Sequence, residues 1–145
     1  MGQGKRHGQV NREEALDQLV QHEGLKLKPY RDTVGKLTIG VGRNLDDMGI
    51  SIDEAMIMLD NDVTTAENEL HSRFPITRNL DGTRYWVLVN MCFNMGAPRL
   101  AGFKKMWLAI ETQDWPKAAE EMLDSKWARQ VGNRANELAD LMRNG

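Results

Sequence analysis

The chain has 145 residues, 41% hydrophobic and 28% charged, so it is long enough for one compact domain with a real apolar core. Its formal net charge of −2 at pH 7 argues against a nucleic-acid-binding protein, because such proteins are usually basic. No apolar run is long enough for the core of a signal peptide or for a stable membrane insertion.

The single cysteine, Cys92, excludes an intrachain disulfide and fits a reducing compartment. It lies in an apolar run with helical character, where we expect a small buried hydrophobe. The three histidines, His7, His22 and His71, do not have the spacing of metal ligands, so no metal site is expected.

The first predicted element is a short amphipathic helix over residues 11–23, which follows a polar, flexible tail over residues 1–10. Asn11 can cap the start of this helix, with Glu14 three residues on as the reciprocal half of a capping box. Gly24 provides the left-handed stop at its end.

Glu23 is the last residue of this helix and continues its apolar face. The apolar residues of that face are Leu16, Leu19 and Val20. The carboxyl should therefore face the core at the negative end of the helix dipole, and both effects raise its pKa above the ~4.3 of a free Glu. That suits a general acid near neutral pH, although most helix-terminal Glu side chains simply reach solvent.

A hairpin is predicted next, with arms over residues 28–33 and 36–41 and with Gly35 at the turn, where a positive φ is needed. Alternation along the second arm turns Thr38 away from the apolar face and toward Asp32. A carboxylate and a hydroxyl so placed can hold a water, whereas an Asp in a turn commonly bonds the local backbone. Two carboxyl groups with different surroundings, one at the helix end and one in the hairpin, are what glycoside hydrolysis needs.

The remainder of the chain is predicted to be helical. Ser51 and Glu54 form a capping box at the start of a long helix, which Pro75 stops. After a turn at Ala97-Pro98 the helical pattern resumes. The predicted starts of the later helices are Asp81, Trp115, Ser125 and Asn133. The tryptophans that we expect in the core are Trp107 and Trp127.

These elements indicate an α+β, mostly helical fold. A small lobe with the β-hairpin or a short antiparallel sheet covers about residues 24–50, and a long connecting helix covers about 51–74. A larger all-helical lobe covers about 75–145, and the helix over 11–23 is expected near the junction of the lobes.

Glu23, Asp32 nine residues on and Thr38 six further resemble the catalytic signature of phage-type lysozymes, a glycoside hydrolase family that includes the lysozyme of the T-even bacteriophages. Other segments follow in family order: Asn90–Gly96, Ala101–Phe103, Trp115, Ser125–Trp127 and Asn133–Ala135. The stretch between hairpin and long helix is shorter here than in the family member compared, so the small lobe should be trimmed.

The resemblance implies one lysozyme-like domain over residues 11–145 that hydrolyses the β-1,4 bond between N-acetylmuramic acid and N-acetylglucosamine in peptidoglycan. Glu23 would be the general acid, and Asp32 with Thr38 would position the attacking water. This inverting scheme places the two carboxyl groups roughly 6.5–9.5 Å apart. No cofactor or metal is needed, because acid, base and water complete the reaction.

Two further residues gain roles through the resemblance alone. Phe93 would contact substrate in the cleft, whereas its helical periodicity alone places it in the core. Arg134 would pair with the catalytic acid and lower its pKa, whereas the alternative is a helix-surface arginine.

The resemblance also implies partners and a location. The expected partner is the peptidoglycan glycan strand, bound by a monomer, with no nucleic acid. We expect the enzyme in the host bacterial cytoplasm, from which a holin-like, membrane-permeabilising partner would release it to the periplasmic wall for host lysis. Because both the wall and the chain are acidic, attraction would need a local basic patch. The candidates are Lys26, Lys28, Arg31, Lys36 and Arg43.

Two other functions stay open. A lytic transglycosylase uses one acid and forms an anhydro-sugar without water, and Asp32 and Thr38 argue against it. A wall-binding relative could also retain the fold without activity.

Overall fold

The computed structural model describes residues 10–145, so the predicted tail over residues 1–10 lies outside the described residues except for Val10. The chain divides into two compact units, one that ends at Ala55 and one from Met56 to Gly145. The predicted α+β, mostly helical fold with a small antiparallel sheet is confirmed.

The first unit contains one longer helix, a three-stranded sheet and a single helical turn. These elements are α1 (Arg12–Glu23), β1 (Lys26–Arg31), β2 (Leu37–Gly40), β3 (Arg43–Asn44) and α2 (Leu45–Met48). The sheet order is β1-β2-β3 and both pairings are antiparallel, so β2 is the central strand. Asn11 caps α1 as predicted, because its Oδ1 accepts a hydrogen bond of 2.9 Å from the backbone N–H of Glu14.

The long helix α3 (Ile52–Arg73) begins in the first unit and continues in the second. Its predicted capping box is confirmed: Ser51 Oγ accepts from the N–H of Glu54 at 3.1 Å, and Glu54 Oε1 accepts from the N–H of Ser51 at 2.8 Å. No helix within residues 10–145 is both long and apolar enough to span a membrane.

The second unit is helical throughout. A 3-10 helix (Pro75–Asn79) is followed by α4 (Gly82–Met95), α5 (Ala97–Ala101), α6 (Lys104–Glu111), α7 (Trp115–Leu123), α8 (Lys126–Val131) and α9 (Asn133–Asn144). Its core contains Trp107 and Trp127, as predicted, together with Cys92. The indole N–H of Trp127 donates to Asn94 Oδ1 at 2.8 Å, so a buried polar group is satisfied.

Two predicted boundaries in this unit are wrong. The turn at Ala97-Pro98 is the start of α5, because a proline fits the first turn of a helix. Asn133 is the first residue of α9 and not its cap, since Gly132 with φ of 63° occupies the cap position. The Asn133 side chain donates instead to Glu137 Oε1 at 3.2 Å.

Candidate active site

Glu23 ends α1, and Gly24 with φ of 79° turns the chain directly into β1. The Glu23 side chain lies against the turn between β2 and β3. A Cβ atom added at Gly42 would lie 3.0 Å from Glu23 Oε2 and 3.4 Å from Glu23 Cδ. Gly42 also has φ of 73°, a conformation that glycine adopts without strain. Position 42 therefore needs glycine both for its backbone and to leave room for this carboxyl group.

The predicted dry environment of Glu23 is wrong. Glu23 is exposed, and no residue of α1 is buried. The apolar residues of its face, Leu16, Leu19 and Val20, are each at least 40% exposed. The helical period identifies which residues share a face, but it cannot say whether another element covers that face.

Asp32 organises the hairpin turn. Its Oδ1 accepts hydrogen bonds from the backbone N–H groups of Val34 and Lys36, at 3.0 and 2.8 Å. The local backbone bonding that a turn aspartate commonly makes is thus present. These bonds end β1 at Arg31 and start β2 at Leu37, so both strands are shorter at the turn than predicted. Asp32 Oδ2 accepts no hydrogen bond from residues 10–145.

Thr38 lies on the central strand β2 and is only 3% exposed. Its register partners are Tyr30 on β1 and Asn44 on β3. Thr38 Oγ1 donates to the carbonyl oxygen of Lys36 at 2.8 Å. Asp32 and Thr38 therefore bind the same backbone residue, one at its N–H and the other at its carbonyl, and their side chains are held in a fixed relation.

A set of carboxylates supports this hairpin. Asp46 Oδ2 accepts from the backbone N–H of Leu37 at 2.7 Å, and Lys36 Nζ lies 3.1 Å from Asp47 Oδ1. The hydrogen bond from Lys36 lowers the pKa of the Asp47 carboxyl. These contacts fix the start of β2, just before Thr38.

The predicted basic patch is largely paired within the first unit. Arg31 lies 3.9 Å from Asp46, Lys36 pairs with Asp47, and Arg43 forms two hydrogen bonds with Glu54 at 2.9 and 2.6 Å. Two other patch residues, Lys26 and Lys28, lie exposed on β1. The positive surface of the hairpin is therefore smaller than the sequence indicates.

The two remaining predicted site residues lie in the second unit, where Phe93 is on α4 and Arg134 is in the first turn of α9. Phe93 is 44% exposed, so its placement in the core from periodicity is wrong. Both residues line a pocket of about 370 Å³. The Nε and Nη2 atoms of Arg134 donate to Asn90 Oδ1 at 3.1 and 2.7 Å.

Two residues that contact these side chains, Gly42 and Asn90, were not among the predicted site residues. Gly42 belongs to a Gly-Val-Gly segment, whose second glycine could have indicated a close approach to the backbone. Asn90 is a polar residue within an apolar helical run, and such a residue usually needs a hydrogen-bonding partner.

The first unit thus holds one carboxyl group at a helix end and a second in the turn of a small sheet, and glycoside hydrolases use a pair of such groups. Residues 20–143 match the model of the family described as phage lysozyme. The chain therefore belongs to the phage lysozyme family, which confirms the predicted resemblance. It is a lysozyme that acts on peptidoglycan.

Two relatives place the chain within this family. Probable T4-type lysozyme 2 of Dictyostelium discoideum is 31% identical over 158 residues, which cover 89% of this chain and 93% of that protein. The pre-baseplate central spike protein Gp5 of Enterobacteria phage T4 is 29% identical over 157 residues, which cover 89% of this chain but 27% of that protein.

Proposed function

We propose that this lysozyme is an N-acetylmuramidase that hydrolyses the β-1,4 bond between N-acetylmuramic acid and N-acetylglucosamine with inversion. Glu23 donates its proton to the glycosidic oxygen, and a water held by Asp32 and Thr38 attacks the anomeric carbon from the opposite face. The observation that carries this proposal is the common attachment of Asp32 and Thr38 to the Lys36 backbone.

The hydrogen bonds of the two side chains favour a water-binding role. Asp32 uses Oδ1 for the turn, so Oδ2 is left to accept a proton from water. Thr38 gives its only hydroxyl hydrogen to the Lys36 carbonyl, so its oxygen also acts as an acceptor. A water that donates one hydrogen bond to Asp32 Oδ2 and one to Thr38 Oγ1 presents a lone pair to the sugar. Asp32 then takes a proton from that water as the new C–O bond forms.

The family resemblance assigns further roles to Arg134 and Phe93. By that resemblance Arg134 would be the cationic partner of the catalytic acid. The exposed ring of Phe93 offers an apolar surface to a sugar ring. Both roles follow the family resemblance, and the exposure of Phe93 supports its part.

The decisive test is Glu23→Gln, assayed by loss of turbidity of outer-membrane-stripped bacteria. We expect lysis to disappear while the thermal unfolding temperature stays close to that of the parent, because Gln has the same shape but no acidic proton. Glu13→Gln, at an exposed position in the first turn of the same helix, is the matched control and should retain full activity. A fully active Glu23→Gln variant would remove this residue from the mechanism.

Asp32→Asn and Thr38→Val separate chemistry from structure. Asn keeps an oxygen for the Val34 and Lys36 N–H groups but cannot accept a proton from water, and Val keeps the shape of Thr without its hydroxyl. We expect both variants to lower kcat by on the order of 10²–10⁴ with little change in KM. A raised KM with unchanged kcat would instead assign these residues to sugar binding.

Product analysis decides among reaction types. Mass spectrometry should show hydrated reducing ends, and NMR spectra of the first turnovers should show the inverted anomer. Anhydro-sugar products would indicate a lytic transglycosylase, and a retained anomer would make Asp32 a covalent nucleophile.

We further propose that the enzyme is a monomer made in the host cytoplasm, which lyses the host after a holin-like partner admits it to the periplasmic wall. Membership in the phage lysozyme family supports this role. Expression in bacteria should cause lysis only after the inner membrane is permeabilised chemically. Spontaneous lysis would contradict the need for a releasing partner, and light scattering after size-exclusion chromatography tests the monomer.

A further inference from the structure

We propose that Asp46 is a positioning residue for the reaction, which aims the Lys36 carbonyl at the Thr38 hydroxyl and so fixes how Thr38 binds water. The inference rests on the proposed function, because it takes Asp32 and Thr38 as the residues that hold the attacking water. Asp46 acts through the backbone of the hairpin, and all of these residues belong to the first unit.

Asp46 and Thr38 bind opposite ends of one peptide group. The carbonyl of Lys36 and the N–H of Leu37 belong to the same rigid plane, and in a trans peptide they point in opposite directions. Thr38 Oγ1 donates to that carbonyl at 2.8 Å, and Asp46 Oδ2 accepts from that N–H at 2.7 Å. The carbonyl also accepts from the backbone N–H of Asp32 at 2.9 Å, so it faces β1 while the N–H faces β3. A carboxylate that holds the N–H therefore sets the direction of the carbonyl as well.

The Leu37 N–H lies past the end of the neighbouring strand. β3 ends at Asn44, which is the register partner of Thr38. The next position in this antiparallel register would pair Leu37 with Leu45, but Leu45 is the first residue of α2. Asp46 therefore supplies the acceptor that a longer β3 would have supplied from its backbone.

The single turn of α2 brings the Asp46 carboxylate to the hairpin. The cap of α2 is Asn44, whose Oδ1 accepts from the N–H of Asp47 at 3.0 Å. Because Asn44 also pairs with Thr38 across the sheet, the strand that holds Thr38 also starts the turn that carries Asp46. A bond of 2.7 Å between a carboxylate and an amide is short, as charge-assisted hydrogen bonds are.

Asp46 also lies near Arg31, whose Nη1 is 3.9 Å from Asp46 Oδ2. The two side chains are 68% and 43% exposed, and an exposed ion pair of this length contributes little. Arg31 Nη1 donates instead to the carbonyl oxygen of Gly35 at 3.0 Å. The bond to the Leu37 N–H is thus the stronger contact of Asp46.

Thr38 has a single hydroxyl hydrogen, and the group that receives it decides what Thr38 can do. While the Lys36 carbonyl receives it, the hydroxyl oxygen accepts a hydrogen from water and leaves a water lone pair for the sugar. With the peptide group tilted, the hydroxyl would donate to the water and occupy that lone pair. Loss of Asp46 should therefore slow the chemical step and leave sugar binding unchanged.

The test measures kcat and KM on soluble glycan strands for Asp46→Ala and Asp46→Asn. Ala removes the acceptor of the Leu37 N–H, so kcat should fall about tenfold while KM stays within about twofold of the parent. Asn keeps an oxygen at that place without the charge, so this variant should recover most of the lost rate. Asp53→Ala removes an exposed carboxylate from the first turn of α3 and should keep the kcat of the parent.

A double-mutant cycle tests whether Asp46 acts through Thr38. Thr38→Val removes the hydroxyl that Asp46 is proposed to orient. In that background Asp46→Ala should lower kcat by less than about twofold more, because both changes remove one interaction. A full tenfold further loss would show that Asp46 acts independently of Thr38, and the inference would fail.

A second readout does not depend on activity. In Asp46→Ala the backbone amide of Leu37 should exchange with solvent about tenfold faster or more. The Hα–Hβ coupling of Thr38 should change from the value of a single rotamer to an averaged one. If the Ala variant opens the whole hairpin, Asp46→Asn still tests the inference, because exchange should then be faster at Leu37 but not along β1.

The outcomes separate this inference from the proposed function. If Thr38→Val lowers kcat but a folded Asp46→Ala does not, the inference fails although the proposed mechanism stands. An Asn variant as slow as the Ala variant, a raised KM with unchanged kcat, or unchanged exchange at Leu37 would also overturn it. If Thr38→Val is fully active, the proposed water site fails whatever the Asp46 variants show.

Discussion

The two units of this lysozyme are stabilised by different interactions. In the second unit, Leu70, Leu88, Leu100, Met106 and Met142 are fully buried, and they belong to a continuous apolar cluster. Among residues 10–55 of the first unit, only Thr38 is buried. An apolar core of this kind supplies most of the stability of a domain, so the second unit should be the harder one to open.

The first unit is held mainly by polar contacts between segments close in sequence. The cap of α2 is Asn44, whose Oδ1 accepts from the N–H of Asp47 at 3.0 Å, and Arg43 joins β3 to Glu54 near the start of α3. Hydrogen bonds of this kind contribute about 0.5–1.5 kcal/mol each, less than a buried leucine. The proposed acid and water-binding residues thus lie on the unit that opens more easily, so activity should be lost before the second unit unfolds.

The largest expected effect comes from the core of the second unit. Leu88 on α4 is fully buried, and Leu88→Ala should lower the free energy of unfolding by about 2–5 kcal/mol, because it removes apolar contacts and leaves a cavity. Urea unfolding followed by tryptophan fluorescence measures this change, since all four tryptophans lie beyond residue 55.

Leu108→Ala, at a position 62% exposed on α6, is the matched control and should change stability by less than about 0.5 kcal/mol. Equal effects at the two positions would contradict the assignment of stability to this core.

Contacts between residues close in the chain were predictable from the sequence. The caps at Asn11 and Ser51 were predictable because each cap bonds a residue three positions away. Glu23, Asp32 and Thr38 were selected as a set because they match the family's signature in order and spacing, and their catalytic roles stay a prediction.

Contacts between distant segments were not predictable in the same way. Gly42, in the turn between β2 and β3, lies against the side chain of Glu23, and Asn90 bonds Arg134 from 44 positions away. Neither separation along the chain matches the period of a helix or a strand, so no local sequence pattern predicts these two contacts. The exposure of Glu23 was missed for a related reason, since it depends on what covers α1 and not on the order of residues within α1.

A smaller effect on stability, together with a loss of activity, is expected from Gly42→Ala. An alanine at φ of 73° costs about 1–2 kcal/mol, and its Cβ would lie 3.0 Å from Glu23 Oε2. The Glu23 carboxyl must then shift by a few tenths of an ångström, and because the reaction depends on the placement of the acid, the rate of lysis should fall. Lysis assays and urea unfolding measure the two effects separately.

Gly49→Ala controls for the backbone strain. Gly49 also has a positive φ, 63°, but a Cβ there meets nothing within 4 Å. The Gly49→Ala variant should lower the free energy of unfolding by a comparable amount. Its activity should stay within about twofold of the parent, because the change touches no functional group. If both variants lose activity equally, the loss comes from backbone strain in the first unit. It then does not come from the loss of space for the Glu23 carboxyl.

The smallest expected effect on global stability comes from acid, which should open the first unit locally. The hydrogen bonds from Arg43, and then those from Ser51, lower the pKa of Glu54 from 4.5 to about 2. Because the folded pKa is the lower one, this group stabilises the fold fully above about pH 4.5, and the contribution is lost as the pH falls toward 2. Within that range, amide exchange near β3 and the start of α3 should accelerate while tryptophan fluorescence stays unchanged.

Glu54→Gln sharpens this test. Glutamine keeps an acceptor for Ser51 but carries no charge for Arg43, so exchange near β3 should be faster at neutral pH and should change little from pH 4.5 to 2. Because that variant lacks only the charge, a persistent acid response in it would trace the opening to another carboxyl group, such as that of Asp47, whose pKa the hydrogen bond from Lys36 lowers. If tryptophan fluorescence changed together with the amide exchange, the two units would unfold as one, and the difference drawn between them would be wrong.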